Sequence, residues 1–314
     1  MASPLYLDAH ILKKLQKLES RRTASAIAFD WLVIAACIYI SERSGSWLVY
    51  GVALVFIAGR MHALASLIHE FAHFRFVANK KVNDWVGDLV TAWPLLVTVA
   101  SYRQNHLQHH QNTNTLKDPD FVVKYGQERF TFPQQMVDVS RHLATYAIGV
   151  NSVKDLRTGL NRLNKKISVT GFYMACRAGF YIVVVGGLIA SGHSSQLLFY
   201  WFVPYLTLFM ALMYIRSVAE HFAIENIDEK LEGTRTVIPL WWERAFFGPH
   251  QVSHHLEHHM YAAVPYYNLP KLHEELMKNP EFKRQAHITY GYTTGLLSEC
   301  LKHGEVPKLA LVLE

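Results

Sequence analysis

Half of the eighteen histidines in this sequence fall into four groups with ligand-like spacing. The first group is His69-Glu70-Phe71-Ala72-His73. On a helix, positions i and i+4 share a face, so His69 and His73 can hold one cation. The same HExxH pattern is the zinc metalloprotease signature, in which the glutamate is the general base. Glu70 therefore reads either as such a base or as a carboxylate that orients a metal-bound imidazole. The second group is His106-Leu107-Gln108-His109-His110. His109 and His110 point about 100° apart on a helix, which suits two cations better than one. The third group, His255, His258 and His259, repeats this HxxHH spacing, with His250 and His254 as extra histidines. The fourth is His221, directly after Glu220.

The elements that must carry these groups are apolar. Hydrophobic residues make up 51% of the chain and charged residues 18%. That is below the roughly 25% charge of soluble domains and excludes a disordered, collagenous or wholly soluble protein. Four stretches reach the roughly 20 apolar residues a bilayer-crossing helix needs: about 24–41, 46–68, 169–191 and 197–219. A shorter stretch, 86–101, contains Pro94 and reads as a re-entrant or interfacial segment, with a fifth span as the alternative. The polar leader ahead of the first stretch argues against a cleaved signal peptide. Lys13, Lys14, Lys17, Arg21 and Arg22 precede the first span, whereas the two short links hold only Arg43. The positive-inside rule then puts the N-terminus, the C-terminus and all four histidine groups on the cytoplasmic side. The net charge of +6 reads as attraction to anionic headgroups, not to nucleic acid, because no nucleic-acid fold signature accompanies it. Three scattered cysteines (Cys37, Cys176, Cys300) provide neither a disulfide framework nor a thiolate zinc site.

Nine imidazoles thus reach one membrane face: His69, His73, His106, His109, His110, His221, His255, His258 and His259. Shared between two cations they leave each four or five nitrogen ligands, which points to iron over closed tetrahedral zinc. Glu70, Asp118, Asp120, Glu220 and Glu257 are the carboxylates expected to orient them. Asp118-Pro119-Asp120 reads equally as turn chemistry. His62 reads as a core or tunnel residue. His10, His142, His193, His273, His287 and His303 lack partners at ligand spacing.

Segment 133–150, with Met136, Val139, Leu143, Ala147 and Val150 on one face, predicts an amphipathic helix starting at Pro133. Tyr200, Trp201, Phe202 and Tyr205 read as a headgroup-level aromatic belt in preference to a channel lining. Arg216, Arg244, Lys271 and Arg284 read as solvated charge, or as grips for an acidic headgroup or electron carrier. Trp241 and Trp242 read as a membrane anchor or a substrate contact.

The runs HEFAH (69–73), NHLQHH (105–110), EH (220–221) and PHQVSHHLEHHMYAAVPYYNLPKLH (249–273) resemble the histidine boxes of the membrane fatty acid desaturase superfamily. The resemblance covers about residues 46–275, and its last run is most similar to the bacterial acyl desaturase branch. It implies an all-α integral membrane fold, with four transmembrane helices and a cytoplasmic helical cap. It also implies two iron ions on the nine histidines, dioxygen as co-substrate, and a lipid or acyl-chain substrate. No HPGG-type haem motif occurs, so the electron donor is expected to be a separate protein, ferredoxin or cytochrome b5-like. Two features depart from the pattern. His254 stands where many relatives carry an aromatic, and the first box has three intervening residues where some acyl-CoA desaturases have four. They leave open a hydroxylase, epoxygenase or carotenoid ketolase of the same superfamily. A zinc protease on His69, Glu70 and His73 and a metal transporter or sensor are the remaining alternatives. The expected organisation is a cytoplasmic segment 1–23, a membrane domain 24–275 and a cytoplasmic tail 276–314, in a bacterial inner membrane.

Overall fold

The computed structural model describes residues 7–162, 170–227, 229 and 231–302; His303 and the rest of the C-terminal stretch lie outside them. The described chain is mostly helical. Its only strands, β1 (Thr236–Ile238) and β2 (Ile288–Tyr290), pair in parallel. A short helix α1 (Ala9–Leu15) precedes α2 (Ser20–Ser44) and α3 (Trp47–Ala72). The last two form a tight antiparallel pair because Gly45, at φ +58°, closes α2 in the left-handed conformation that glycine takes without a Cβ clash. Helix α4 (Lys80–Gly87) starts on the side chain of Asn79, and α5 (Val99–Asn112) starts on a capping box between Thr98 and Ser101. Then come α6 (Met136–Ala147), α7 (Val150–Arg162), α8 (Gly171–Ala190) and α9 (Ser194–His221). Shorter helices follow: α10 (Glu243–Phe246), α11 (His255–Met260), α12 (Leu269–Leu276), α13 (Pro280–Gln285) and α14 (Leu297–Lys302).

Four helical stretches are long and apolar enough to cross a bilayer, and they overlap the four expected spans, which differ from them by a residue or two where they run past an end. The α3 stretch is the most buried and α8 the most exposed, so α3 is the central post of the core. Its residues Ile57, Met61, Leu64, Leu67 and Phe71 are fully buried.

The stretch around Pro94 makes a sharp turn between α4, which continues as a wide π turn over Asp88–Ala92, and α5. Its backbone is irregular, yet side chains of three long helices satisfy its carbonyls. Trp31 donates to Val90 O (2.9 Å), Tyr181 to Trp93 O (2.9 Å), Trp201 to Pro94 O (3.0 Å), Tyr205 to Leu95 O (3.1 Å) and Arg177 to Leu96 O (3.2 Å). Burying those carbonyls without such donors would cost about 1–3 kcal/mol each.

This turn corrects the aromatic-belt reading. Tyr200 and Tyr205 are buried, and Trp201 stacks flat on Trp31 with ring centroids 5.5 Å apart. These rings look inward because each carries a polar tip that the buried turn or the helix pair requires. The helix expected from Pro133 starts instead at Met136, after the N-cap Gln135. Met136, Ala147 and Val150 are exposed, while His142 and Tyr146 on a different face are the buried residues. Only Val139 and Leu143 of the predicted stripe face inward, lining an apolar cavity of about 190 Å³ with Tyr214, Phe247 and Tyr292. Residues 276–302 are packed into the body, through β2 on β1 and Cys300 in the second hydrophobic cluster.

Candidate metal centre

Each histidine is delivered by a helix end or a short helix. His69 lies in the last turn of α3, and His73 caps its C-terminus. The final residue of α9 is His221, whose helix end is closed by a buried guanidinium. Arg235 donates to the carbonyls of Val218 (3.1 Å), Ala219 (2.9 Å), Phe222 (3.0 Å) and Ala223 (2.7 Å). Those four carbonyls include ones a helix C-terminus leaves without a partner. Arg235 in turn pairs with Glu299 at 2.8 Å. Thr236, the next residue, donates from Oγ1 to Glu257 at 2.5 Å and so ties β1 to α11, which carries His255, His258 and His259.

The nine imidazoles form two groups. His69, His73, His106, His110 and His258 make one, and His109, His221, His255 and His259 make the other. Within each group one ring nitrogen per residue lies within 4.8 Å of all the rest. In the first, His106 Nε2 lies 2.9 Å from His73 Nε2 and 3.0 Å from His110 Nε2, which is 3.0 Å from His258 Nε2. In the second, His255 Nε2 lies 2.8 Å from His221 Nε2 and 3.0 Å from His259 Nε2, which is 3.2 Å from His109 Nε2. Both adjacent pairs, His109/His110 and His258/His259, are divided between the groups.

This donor set fits a cation in each group. A ring nitrogen carries either one proton or one lone pair. His106 Nε2 and His255 Nε2 each face two other Nε2 atoms, which hydrogen bonding cannot satisfy together. The buried Nε2 of His69 has no hydrogen-bond partner. Ligand nitrogens about 2.1 Å from a shared ion lie roughly 3–4 Å apart, which removes both conflicts. Several of the rings are also held in the neutral form that ligation requires. Burial and then the neighbouring His110 hold His73 down at about 3, and burial and then His109 hold His110 down at about 4. Burial and adjacent imidazoles likewise depress His106, His255, His258 and His259 far below the ordinary histidine value.

The five candidate carboxylates divide. Asp118 accepts from His109 Nδ1 at 2.8 Å. Burial alone would raise Asp118, but its interaction with His109 and the backbone N–H groups of Asp120 and Asn114 outweigh it and hold the carboxyl below its usual value. Glu220 lies 3.5 Å from His255 Nδ1 and is held by Arg216 Nε at 2.7 Å. Glu70 is 3.7 Å from His69 Nδ1 and instead accepts the Tyr266 N–H at 3.0 Å. Glu257 bonds Thr236 and His273 Nδ1 (2.6 Å), neither of which is in the two groups. Asp120 contributes its backbone N–H to Asp118 Oδ1 at 2.8 Å. Asp118 thus serves as a turn residue and as an imidazole partner at once.

Other readings of single residues change. Arg216, read as solvated or gripping charge, is buried beside the groups. Arg244, Lys271 and Arg284 are exposed. His250 bonds Asp30 at 2.8 Å, and His62 Nδ1 meets Phe246 O at 2.7 Å. His254 is buried against the His273 ring, outside both groups. His273 and His287, read as lacking partners at ligand spacing, stay outside both groups and bond Glu257 and Glu299 (3.0 Å). Sequence reasoning passed over Arg235, Thr236 and the pair Asp30–Arg60, which meet at 2.9 Å. The last pair had a legible signal, one charge in each of two apolar stretches.

The sequence pattern described as fatty acid desaturase matches residues 45–291 of this chain. Among curated proteins, the dihydrorhizobitoxine desaturase of Bradyrhizobium elkanii is 28% identical, over 88% of this chain and 82% of its own length. An sn-1 oleoyl-lipid 12-desaturase of Anabaena variabilis is 24% identical, over 86% of this chain and 81% of the relative. An sn-1 acyl-lipid omega-3 desaturase (ferredoxin) of Synechocystis sp. is 23% identical, over 81% and 75%. With most of its length matched and its histidines gathered as described, the chain belongs to the fatty acid desaturase family, a family of oxidoreductases.

Proposed function

We propose that this chain is a membrane-embedded, dioxygen-dependent di-iron oxidase that introduces a C=C bond into a lipid acyl chain. The observation that carries this reading is the division of nine imidazoles into a group of five and a group of four. His69, His73, His106, His110 and His258 would hold one iron, and His109, His221, His255 and His259 the other. Bound there, the irons would supply the oxidising power that removes hydrogen from an unactivated methylene at the expense of dioxygen and two electrons.

The rest is the work of the protein. Its imidazoles are fixed from behind: His109 by Asp118, and His259 Nδ1 by Thr113 Oγ1 at 3.4 Å. Arg216 orients Glu220 toward His255. Beside His69 and Glu70 the void is about 10 Å³, room for about one water, so bulk solvent is kept from that side. Orienting the chain against a fixed centre is what selects desaturation over oxygen insertion.

The charge asymmetry of the short loops supports a cytoplasmic centre and cytoplasmic termini in a bacterial inner membrane. The satisfied carbonyls around Pro94 support a re-entrant turn within the bilayer. Helices α5 and α11–α14 would form the cap over the centre, and residues 24–275 the membrane domain. A separate donor, ferredoxin or cytochrome b5-like, would supply the electrons. The Synechocystis relative, whose name includes ferredoxin, favours the first. The metalloprotease reading is disfavoured because His69 and His73 share their group with three other imidazoles.

The test is metal analysis of purified protein together with mass spectrometry of the lipids of expressing cells. About two irons per chain, and new double bonds without new oxygen atoms, are expected. New hydroxyl or keto groups would instead establish the hydroxylase or ketolase. One zinc, with activity surviving His106→Ala, would overturn the reading. A second substrate reading follows from the higher identity to the Bradyrhizobium protein, namely dihydrorhizobitoxine or a compound like it. Supplying that compound to the purified enzyme, beside acyl lipids, separates the two.

A further inference from the structure

Leu240, Trp241 and Trp242 stand out from the surface just before α10, with Trp241 87% exposed. They are rigidly mounted. Glu243, fully buried, accepts the N–H groups of Leu240 (2.9 Å), Tyr292 (2.9 Å) and Thr293 (2.8 Å) and the Thr293 hydroxyl (2.7 Å). The four bonds hold its carboxyl below the usual glutamate range, although burial works against them.

Their depth follows from where the same short helix docks. The Ala245 carbonyl accepts from Arg60, and the Phe246 carbonyl meets His62. The Phe246 ring lies so close to Gly59 that a Cβ there would come within 2.9 Å of it, and it packs edge-on against Phe56 at 5.5 Å. Gly59 is at the middle of α3 (Trp47–Ala72). That helix is about 39 Å long at 1.5 Å per residue. A hydrocarbon layer about 30 Å thick, laid anywhere along it, contains Gly59 and leaves roughly 9 Å or more to either edge. Residues 245–246 therefore lie at bilayer depth, and the tryptophans three to five residues earlier are next to them. Two further exposed rings lie at this level: Phe56 (42% exposed) packs on Phe246, and Phe29 (57% exposed) lies under the Arg60 guanidinium. Exposed Arg244 adds a cation of the kind that anionic headgroups attract.

We propose that Leu240, Trp241 and Trp242 form a lipid-seating wedge, inserted into the bilayer leaflet nearest the histidine groups. The occupant of this patch is lipid, not a soluble partner or a second copy. The wedge anchors the segment that leads into the third histidine box directly in the membrane. It rests on the bilayer reading above and extends it to a part of the chain outside the four spans.

The test uses full-length protein in phosphatidylcholine vesicles whose acyl chains are brominated near the headgroup, a contact quencher of tryptophan. Wild type is compared with Trp241→Phe, Trp242→Phe and Trp47→Phe; Trp47 is 78% exposed at the far end of α3. The emission assigned to Trp241 by difference should fall by roughly half or more in brominated vesicles and respond little to aqueous iodide. Quenching of Trp241 by iodide but not by bromine, while Trp47 is quenched by bromine, would overturn the wedge and leave the bilayer reading intact. Shielding of Trp241 from both quenchers would show a covering protein and would also overturn it. Absence of bromine quenching at both Trp47 and Trp241 would instead bring down the bilayer reading itself.

Discussion

His109 and His110 share a peptide bond but serve opposite halves of the centre: His109 Nε2 faces His259 at 3.2 Å, and His110 Nε2 faces His106 and His258, each at 3.0 Å. The 100° step of α5 makes this division, and α11 repeats it with His258 and His259. Two neighbouring residues thereby bridge the groups, and the helices that carry them hold the two groups in register.

Single substitutions at that pair should separate the two ions. His110→Ala is expected to weaken the five-histidine group and His109→Ala the four-histidine group, each leaving about one of two irons tightly bound. Metal analysis combined with Mössbauer spectroscopy checks this. Retention of both irons in both variants would defeat the ligand assignment.

Asp118→Asn should lower affinity at the four-histidine group by roughly 10–100-fold, because it weakens the acceptor for His109 Nδ1–H. The matching change Asp120→Asn, which alters a carboxylate outside that bond, should have little effect. Competition against a chelator gives both numbers. Equal losses in the two variants would reduce the run to turn chemistry.

Acid stability should depend on Glu299. Burial raises its carboxyl, but the His287 bond, Arg235 and Thr289 outweigh it and bring it to about 2 from 4.5. A depressed carboxylate stabilises the fold fully above its unfolded value. That contribution, on the order of 3 kcal/mol, is lost as pH falls from about 4.5 toward about 2. Glu299→Gln should unfold more easily at neutral pH and lose this part of the acid transition. Thermal melts in detergent between those pH values and neutrality measure it, and parallel wild-type and variant profiles would contradict it.

Asp30 and Arg60 join α2 to α3 at 2.9 Å, with Asp30 fully buried and also bonded to His250. Removing one partner leaves an uncompensated buried charge, so Asp30→Asn or Arg60→Met should each cost about 3–5 kcal/mol. The double variant should cost clearly less than the sum, and a double-mutant cycle on unfolding gives the coupling. Additive losses would mean that the two side chains act separately.

Tyr205→Phe removes the donor to Leu95 O (3.1 Å) and keeps the ring. A destabilisation of about 1–3 kcal/mol is expected for the orphaned carbonyl. Tyr39→Phe, at an exposed hydroxyl on α2, is the matched control. An effect no larger than the control's would show that water reaches the turn around Pro94.

Local regularities made much of this protein readable. Runs of about twenty apolar residues mark the four long helices, since length and hydropathy are properties of a segment alone. The i, i+3 and i+4 spacings put histidines on shared or splayed helix faces for the same reason. Which imidazole meets which is another matter, because partners such as His110 and His258 are 148 residues apart. Their meeting depends on how α5 and α11 cross the end of α3, and no period in the chain encodes a crossing angle. The same holds for polar groups that had to be matched across the core. Tyr205 and Trp201 look like belt residues until the carbonyls around Pro94 are seen to need donors. Glu257 resembles Asp118 in the chain, yet it turns to His273 because Thr236 and the β1–β2 pair reach it from the other side. Chain chemistry supplies the donors and their faces, while packing chooses the partners, because a buried polar group must be satisfied by whatever the fold brings within 3 Å or so of it.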